Sequence, residues 1–495
     1  MSVPENQGMG SRELAALVDF GARRFAAGPG LTPIPQFDSL LVTRHGRIVL
    51  EVYYPPYGAG IPHHLYSATK AVIGTLTAIA FKDGLLDRLD HRVLDFFDRR
   101  SVDNLDSKKE AITVQNLLDM TSGIEWTQPL DESSFESAIE MAHSPDWVKF
   151  VLDRPMSNNP GEAFNYSNGD THLLSAIITK ITGSSAWEYA EAKLFGPLGI
   201  VDAFWVHDPQ GISEGGDGLF LKPRDMAKIG YLYLRNGEWE GKRMLPSTWI
   251  DRVNHATISV SYPPGIHYSD LFWAFADRHV YMAVGRRGQV IMIFPDLDIV
   301  AVTTARIDYS LREFADLISS SVKSDTILPV DATGAKLLAN NVSDASTEKP
   351  TEVGPPSRMA SIISGRVYLF APNELNLKSL SLVLAGPQPH YEIETYATAA
   401  TKSGNRFSSP IGLDGLYRKG KLSYHGLGVW LEGVPRVEAV KGAWQDNETF
   451  LIDRLLLGLG NSPERWTFTF NRNRLNLLIK IGNWPEISID GQTNG

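Results

Sequence analysis

The feature that most constrains this chain is the order in which its periodicities change. Strand-like runs come first, a long helical stretch follows, strand-like runs return, and a helix closes the series. Residues Ser39 to Thr43 and Arg47 to Tyr54 are rich in Val, Ile, Leu and Tyr, with His45-Gly46 at the turn between them, which predicts a hairpin. Before it, Leu14, Leu17, Phe20 and Phe25 mark a helix over Glu13 to Ala27. After it, the apolar spacing predicts helices from Ser67 to Asp83-Gly84, over Thr113 to Ser122 with Gly123 at C′, and over Ser144–Val151, His172–Ile181, Leu221–Arg235 and Ser247–Val253. Strand patterns return at Val280–Val284, Gln289–Phe294 and Asp298–Thr304, and Leu311–Val322 reads as the closing helix. Strands separated by two hundred residues of helix must still pair to satisfy their backbone groups. The expected fold class is therefore α+β: an antiparallel sheet flanked by helices, with an all-helical subdomain inserted at about residues 100–225.

The character changes at residues 329–359, where Ser, Thr, Asn, Glu, Gly and Pro crowd together and end in Gly354-Pro355-Pro356; this reads as a linker. From 360 to 495, short apolar runs are broken by Gly, Asn and Pro, with Trp430, Trp444, Trp466 and Trp484 spread among them. A small all-β C-terminal domain is expected there. Residues 1–328 then form the first domain, in keeping with a length prior of two to three domains for 495 residues.

The chain has no cysteine, which excludes disulfides, thiolate nucleophiles and cysteine-bound zinc. Its formal net charge of −10 argues against nucleic acid or an anionic membrane as partner. The first residues carry neither a basic patch nor an apolar run, so a cytoplasmic protein is expected, or a periplasmic one had a signal peptide been trimmed.

Three segments carry chemistry. In Ser67-Ala68-Thr69-Lys70, a spacing of three puts both functional side chains on one helical face. A serine in the first helical turn also has an unpaired backbone N–H suited to an oxyanion. An alcohol needs a nearby base, and a desolvated lysine can be one because burial disfavours its charged form. Ser320 and Lys323 repeat the spacing near the end of the closing helix and act as a decoy. In Pro160-Gly161-Glu162-Ala163-Phe164-Asn165-Tyr166-Ser167-Asn168-Gly169, a turn projects Tyr166 and Asn168 together, and a phenol beside an ammonium can relay protons. In Gly285-Arg286-Arg287-Gly288-Gln289, glycine beside a strand permits close backbone approach. The N–H of Gln289, after Gly288, is the expected second oxyanion donor, and Arg286 and Arg287 are candidates for holding a substrate carboxylate or carbonyl.

Together and in this order, these segments resemble the penicillin-recognising serine hydrolases: class C β-lactamases, DD-peptidases, related esterases and 6-aminohexanoate-dimer hydrolases. Ser67 to Lys70 matches the Ser-x-x-Lys motif, and Tyr166-Ser167-Asn168 matches Tyr-x-Asn. Leu117-Leu118-Asp119-Met120-Thr121-Ser122-Gly123 is similar to a helix-ending segment of that superfamily. The resemblance covers about residues 10 to 325 and implies the same sheet-and-helix fold with a site between sheet and helical subdomain. One departure stands out. The family's third motif usually begins with lysine or histidine, whereas Arg286-Arg287-Gly288 stands here, and arginine cannot act as a neutral base.

The expected function is a serine hydrolase acting on an ester or amide of a small acyl substrate through a Ser67 acyl-enzyme, with Lys70 and Tyr166 moving protons and Asn168 orienting Lys70 or the substrate. No cofactor or metal is expected. His63-His64 reads as a solvated or hydrogen-bonded pair on a loop, and no His-Glu-x-x-His or Walker-type phosphate-loop motif occurs. The alternatives are a β-lactamase or D-amino-acid peptidase, and a non-catalytic penicillin-binding-like sensor or scaffold. The expected partner is a small-molecule ester, amide or lactam; the oligomeric state is not legible.

Overall fold

The computed structural model describes all residues except 27, 29–30, 132, 262, 398–403, 422–436, 461 and 494–495; Trp430 therefore lies outside the described residues. The chain gathers into two compact units. The first holds Met1–Leu17, Ser39–Glu51 and Pro62–Leu338; the second holds Val18–Asp38, Val52–Ile61 and Ala339–Gly495.

The first unit is built on an eight-stranded sheet. In chain order its strands are β1 (Phe37–Arg44), β2 (Arg47–Tyr53), β3 (Ile258–Ser259), β4 (Ile266–Ser269), β5 (Phe272–Phe275), β6 (Tyr281–Gly285), β7 (Gln289–Phe294) and β8 (Ile299–Ala305). They lie in the order β3-β4-β5-β6-β7-β8-β1-β2. The N-terminal hairpin thus closes on the late strands: Ser39 on β1 bonds Thr304 on β8 through their hydroxyls at 2.7 Å. β6, β7 and β8 pair antiparallel in register, from Tyr281 opposite Ile293 to Phe294 opposite Ile299. Every residue of β7 and β8 is buried, which accounts for their unbroken apolar reading.

Helix α1 (Ser11–Ala22) precedes the sheet. Between β2 and β3 the chain forms helices, loops and short strands, the helices including α2 (Thr69–Lys82), α3 (Val114–Leu118), α4 (Asn168–Thr182) and α5 (Pro223–Leu234); α6 (Leu311–Ser321) follows β8. α5 presses on the sheet at Gly230, where a Cβ would stand 2.6 Å from the Val300 side chain and 2.7 Å from that of Ile291. No helix among the described residues is long and apolar enough to cross a membrane.

Several expectations shift. α3 has the expected Thr113 N-cap, in a full capping box with Asn116, but stops at Leu118 because Met120 turns left-handed at φ 55. The strands β3 to β5 were not expected: their mixture of aromatics, His, Ser and Asp hides the period of two. The segment read as linker contains helix α7 (Ala332–Ser346).

Among the described residues the second unit carries a ten-stranded sheet: β9 (Val367–Phe370), β10 (Leu377–Val383), β11 (His390–Thr395), β12 (Arg406–Pro410), β13 (Arg418–Gly420), β14 (Val437–Trp444), β15 (Thr449–Leu457), β16 (Glu464–Asn471), β17 (Arg474–Ile481) and β18 (Ile487–Gln492). Their order is β12-β11-β10-β9-β18-β17-β16-β15-β14-β13. Each strand pairs with the next in sequence except β12 and β13, which stand at the two ends of the order, and the last strand pairs the first, which makes an up-and-down near-barrel. Its interior holds Tyr368, Tyr391, Phe450, Trp466, Phe468 and Leu475. The all-β reading of the C-terminal region holds, in a ten-stranded form.

Candidate active site

Ser67 lies in a single 3-10 turn, Tyr66–Ala68, that runs directly into α2. The helix proper begins two residues later than expected. Tyr66 sits at φ 47, a left-handed conformation unfavourable for a bulky side chain and found where surrounding structure dictates it. The turn sets Lys70 one helical step from Ser67. Lys70 is 1% exposed and its Nζ donates to Ser67 Oγ at 3.1 Å, Asn168 Oδ1 at 2.7 Å and the Gly216 carbonyl at 2.7 Å.

The chemistry of these partners matters more than their number. None is charged. Burial without a carboxylate in contact lowers the Lys70 pKa to about 7, only partly opposed by the fields of Asp217 and Glu214. A neutral amine has two N–H donors and one lone pair. Asn168 Oδ1 and Gly216 O can only accept, so they take the two N–H groups and leave the lone pair to face the Ser67 hydroxyl.

Asn168 is the first residue of α4, whose N-cap is Ser167, bonded to the Asp170 N–H at 3.0 Å. Tyr166 therefore stands just outside the helix, where its ring centre lies 4.7 Å from Lys70 Nζ. The loop before it is strapped to the 120–123 segment by backbone bonds: Gly161 N to Thr121 O at 2.7 Å, Asn165 N to Met120 O at 2.8 Å, and Ser157 N to Gly123 O at 2.8 Å. Gly123, at φ +77, passes so near that a Cβ would be 2.5 Å from Asn158 O. This is the physical task of the Leu117–Gly123 segment: it holds the tyrosine loop in place. Within the strap, Ser122 donates to the buried Asp170 at 2.8 Å, whose pKa burial raises to about 7.

Ser67, Tyr166, Asn168, Gly285, Arg286 and Gly288 line one cavity of about 640 Å³. Trp273, Phe135, Met282 and Val290 add apolar wall, and Gln128, Asp131, Asp217 and Asp308 add polar groups. Lys70 lies buried behind Ser67 and is not part of the lining.

The third segment is corrected by the structure. Gly285 pairs with Gln289, so Arg286, Arg287 and Gly288 form the hairpin turn. The glycine pressed against the serine turn is Gly285: a Cβ there would stand 2.0 Å from Leu65 O and 3.1 Å from Ala68 N. Gly288, at φ +78, is closed in by Tyr309 and Ala305. Gln289 is 1% exposed and off the cavity wall; its side-chain amide donates to Ala305 O at 2.7 Å and Arg287 O at 3.2 Å. The strand end beside Ser67 is thus Gly285-Arg286, and the expected donor role of Gln289 has no support in this placement. Arg286 stacks its guanidinium over Phe135 at 4.8 Å. Arg287 is off the cavity lining, and its backbone N–H bonds Asp308 at 2.7 Å.

Two participants, Gln128 and Gly216, escaped the sequence reading. Gln128 donates to Asn168 Oδ1 at 3.0 Å and accepts from Asn168 N at 3.1 Å and Trp126 Nε1 at 2.8 Å, which fixes which end of the Asn168 amide meets Lys70. Gly216 supplies its carbonyl to Lys70, and a Cβ on it would be 2.6 Å from Asn168 Cγ. Its Gly215-Gly216 pair was the available signal. His64, beside the buried His63, lies 2.7 Å from Asp217. The decoy is set apart: Ser320 bonds its own helix at Leu317 O, and Lys323 pairs with Glu13 at 2.7 Å.

The Beta-lactamase family model matches residues 36–319, more than half of the chain and all of the site described above. The chain belongs to the beta-lactamase family. Within it, the chain is similar to a 6-aminohexanoate-dimer hydrolase of Paenarthrobacter ureafaciens, 23% identical over 286 residues, which are 54% of this chain and 71% of that protein. It is also similar to the protein flp of Staphylococcus aureus (strain COL), 27% identical over 169 residues; that match spans 32% of this chain and 33% of flp. Among solved structures, EstCE1, described as a hydrolase with promiscuous acyltransferase activity, superposes with a TM-score of 0.50 at 16% identity, over 63% of this chain and 99% of its own. That likeness is one of fold.

Proposed function

We propose that this beta-lactamase-family member is a serine hydrolase that cleaves an ester or amide bond of a small acyl substrate through an acyl-enzyme on Ser67. One observation carries the reading. A buried lysine with its pKa near 7 stands 3.1 Å from a serine hydroxyl and is cradled by two acceptors that cannot charge. Lys70, with Tyr166 beside it, takes the Ser67 proton as Oγ attacks the carbonyl carbon. The tetrahedral oxyanion rests on the Ser67 N–H and on backbone at the Gly285-Arg286 strand end. Tyr166 passes a proton to the leaving oxygen or nitrogen as the bond to carbon breaks. Water then repeats the sequence on the acyl-enzyme and regenerates Ser67. Asn168, held by Gln128, orients Lys70.

The relatives support hydrolysis of this kind, the Paenarthrobacter protein by its name as a dimer hydrolase and EstCE1 as a hydrolase. Residues 1–328 would form the catalytic domain, with the helices of about 100–225 as its inserted subdomain and 360–495 as a separate domain of other use.

Labelling the full chain with a fluorophosphonate, followed by peptide mass spectrometry, tests the reading. The tag is expected on Ser67 and absent in Ser67→Ala, together with ester hydrolysis. A tag on Ser320, or hydrolysis undiminished in Ser67→Ala, would overturn the Ser67 assignment, whereas no hydrolysis of any substrate by the wild-type chain would favour a non-catalytic sensor or scaffold. Turnover of a chromogenic cephalosporin beside a short acyl ester separates lactam from ester specificity.

A further inference from the structure

We propose that Asp217 is a specificity-determining residue that anchors a positively charged group of the substrate, so that the enzyme favours cationic esters or amides over neutral ones of the same shape. The inference rests on the hydrolase reading above and goes beyond it by naming a substrate class.

Asp217 follows Gly216, the residue whose carbonyl holds Lys70, and it lines the same cavity as Ser67. Its carboxylate is built into place. One oxygen, Oδ1, takes both bonds the fold provides: His64 Nε2 at 2.7 Å and the Gly218 N–H at 2.7 Å. His64 is in turn fixed between Phe220, stacked at 4.7 Å, and Tyr66 at 4.2 Å. The Asp217 side chain nevertheless stays 28% exposed. With Oδ1 doubly engaged, Oδ2 is the oxygen offered to a ligand in the cavity, and it needs no rearrangement to receive one.

Charge in the Glu214–Gly218 loop is concentrated on this residue. Burial and the nearby Asp217 raise the pKa of Glu214, whereas His64 and the Gly218 N–H hold Asp217 below the ordinary carboxylate range despite its own desolvation. Asp217 is therefore an anion at working pH beside a lysine that is largely neutral when it acts. The cavity also has positive groups, Arg286 and Arg312. Arg312 is already paired with both oxygens of Asp277, at 2.7 and 3.3 Å.

The test uses the full chain and matched p-nitrophenyl or alkyl esters. In each pair a trimethylammonium group is set against its neutral tert-butyl isostere, placed once on the acyl chain and once on the leaving alcohol. The quantity read is the ratio of kcat/KM for the cationic to the neutral member. In at least one pair the ratio is expected to be about tenfold or more, carried by KM, to collapse toward one in Asp217→Asn and to recover in part in Asp217→Glu. As a second readout, tetramethylammonium is expected to slow fluorophosphonate labelling of Ser67 in the wild type and not in Asp217→Asn. Ratios near one in both wild-type pairs, or a preference that persists in Asp217→Asn, would overturn the assignment while labelling of Ser67 shows the hydrolase reading intact. No labelling of Ser67 would remove both.

Discussion

Two basic side chains are buried to the same degree, Lys70 in the first unit and Arg454 in the second, each 1% exposed, and their surroundings are opposite. Arg454 donates to Glu438 and to Glu464 inside the near-barrel, the second at 2.7 Å; Tyr391 and Trp466 complete the carboxylates with further hydrogen bonds. Its pKa is driven up by the two carboxylates, and its charge is permanent. Lys70 meets a hydroxyl, an amide oxygen and a backbone carbonyl, and its pKa is driven down. Burial alone therefore does not make a base. Burial among neutral acceptors does, because desolvation is then unopposed at contact distance.

The largest effect is expected where the comparison is broken at the lysine. Lys70→Met should lower kcat/KM for an ester by on the order of a thousandfold, the scale of a lost general base, without lowering thermal stability, since a desolvated ammonium is removed. A variant retaining a tenth of the activity would end the base assignment.

Breaking it at the arginine should act on folding instead. Arg454→Met leaves Glu438 and Glu464 buried without their counter-charge and should cost roughly 3–5 kcal/mol in denaturant unfolding of the full chain. Adding Glu438→Gln and Glu464→Gln should recover part of the loss; a cost under about 1 kcal/mol would mean that the network contributes little.

Gly285→Ala sharpens the site side. The added Cβ meets Leu65 O, so the serine turn must move from the strand end, and kcat should fall by about a hundredfold, as expected for a misplacement on the order of 1 Å. Activity near the wild-type value would show that this contact does not position Ser67.

The smallest effect is in pH. The neutral amine is the active form, so kcat/KM should rise with pH through about 7. For stability the sign runs opposite to that of a paired lysine. The folded state holds the proton less tightly than the unfolded chain, so the destabilisation is full below pH 7 and fades as pH climbs toward the ordinary lysine value. Lys70→Met should flatten this slope between pH 7 and 10, and an unchanged slope would mean that Lys70 is not its source.

Much of the fold and the centre of the site were legible. The hairpin of β1 and β2, the run of α4 to its left-handed Gly183, and β6 to β8 fall close to their expected bounds because local period and turn chemistry dominate there. The Ser67–Lys70 step was legible because helical geometry makes it local. β3 to β5 and α7 were not, since pairing and packing partners overrode a weak local pattern.

By itself, the sequence determined a strand–helix–strand order that requires late strands to close on an early hairpin, and it put one hydroxyl and one amine a helical step apart. The tertiary structure decided that the Ser67–Lys70 pair is the one in the buried site, which glycine touches the serine turn, and that Gly216 and Gln128 complete the cradle. The reason is physical. Spacing along a helix is a property of the backbone, whereas desolvation and the choice of hydrogen-bond acceptor depend on distant segments, with Asn168 lying 98 and Gly216 lying 146 residues from Lys70, and these meet only when the chain folds.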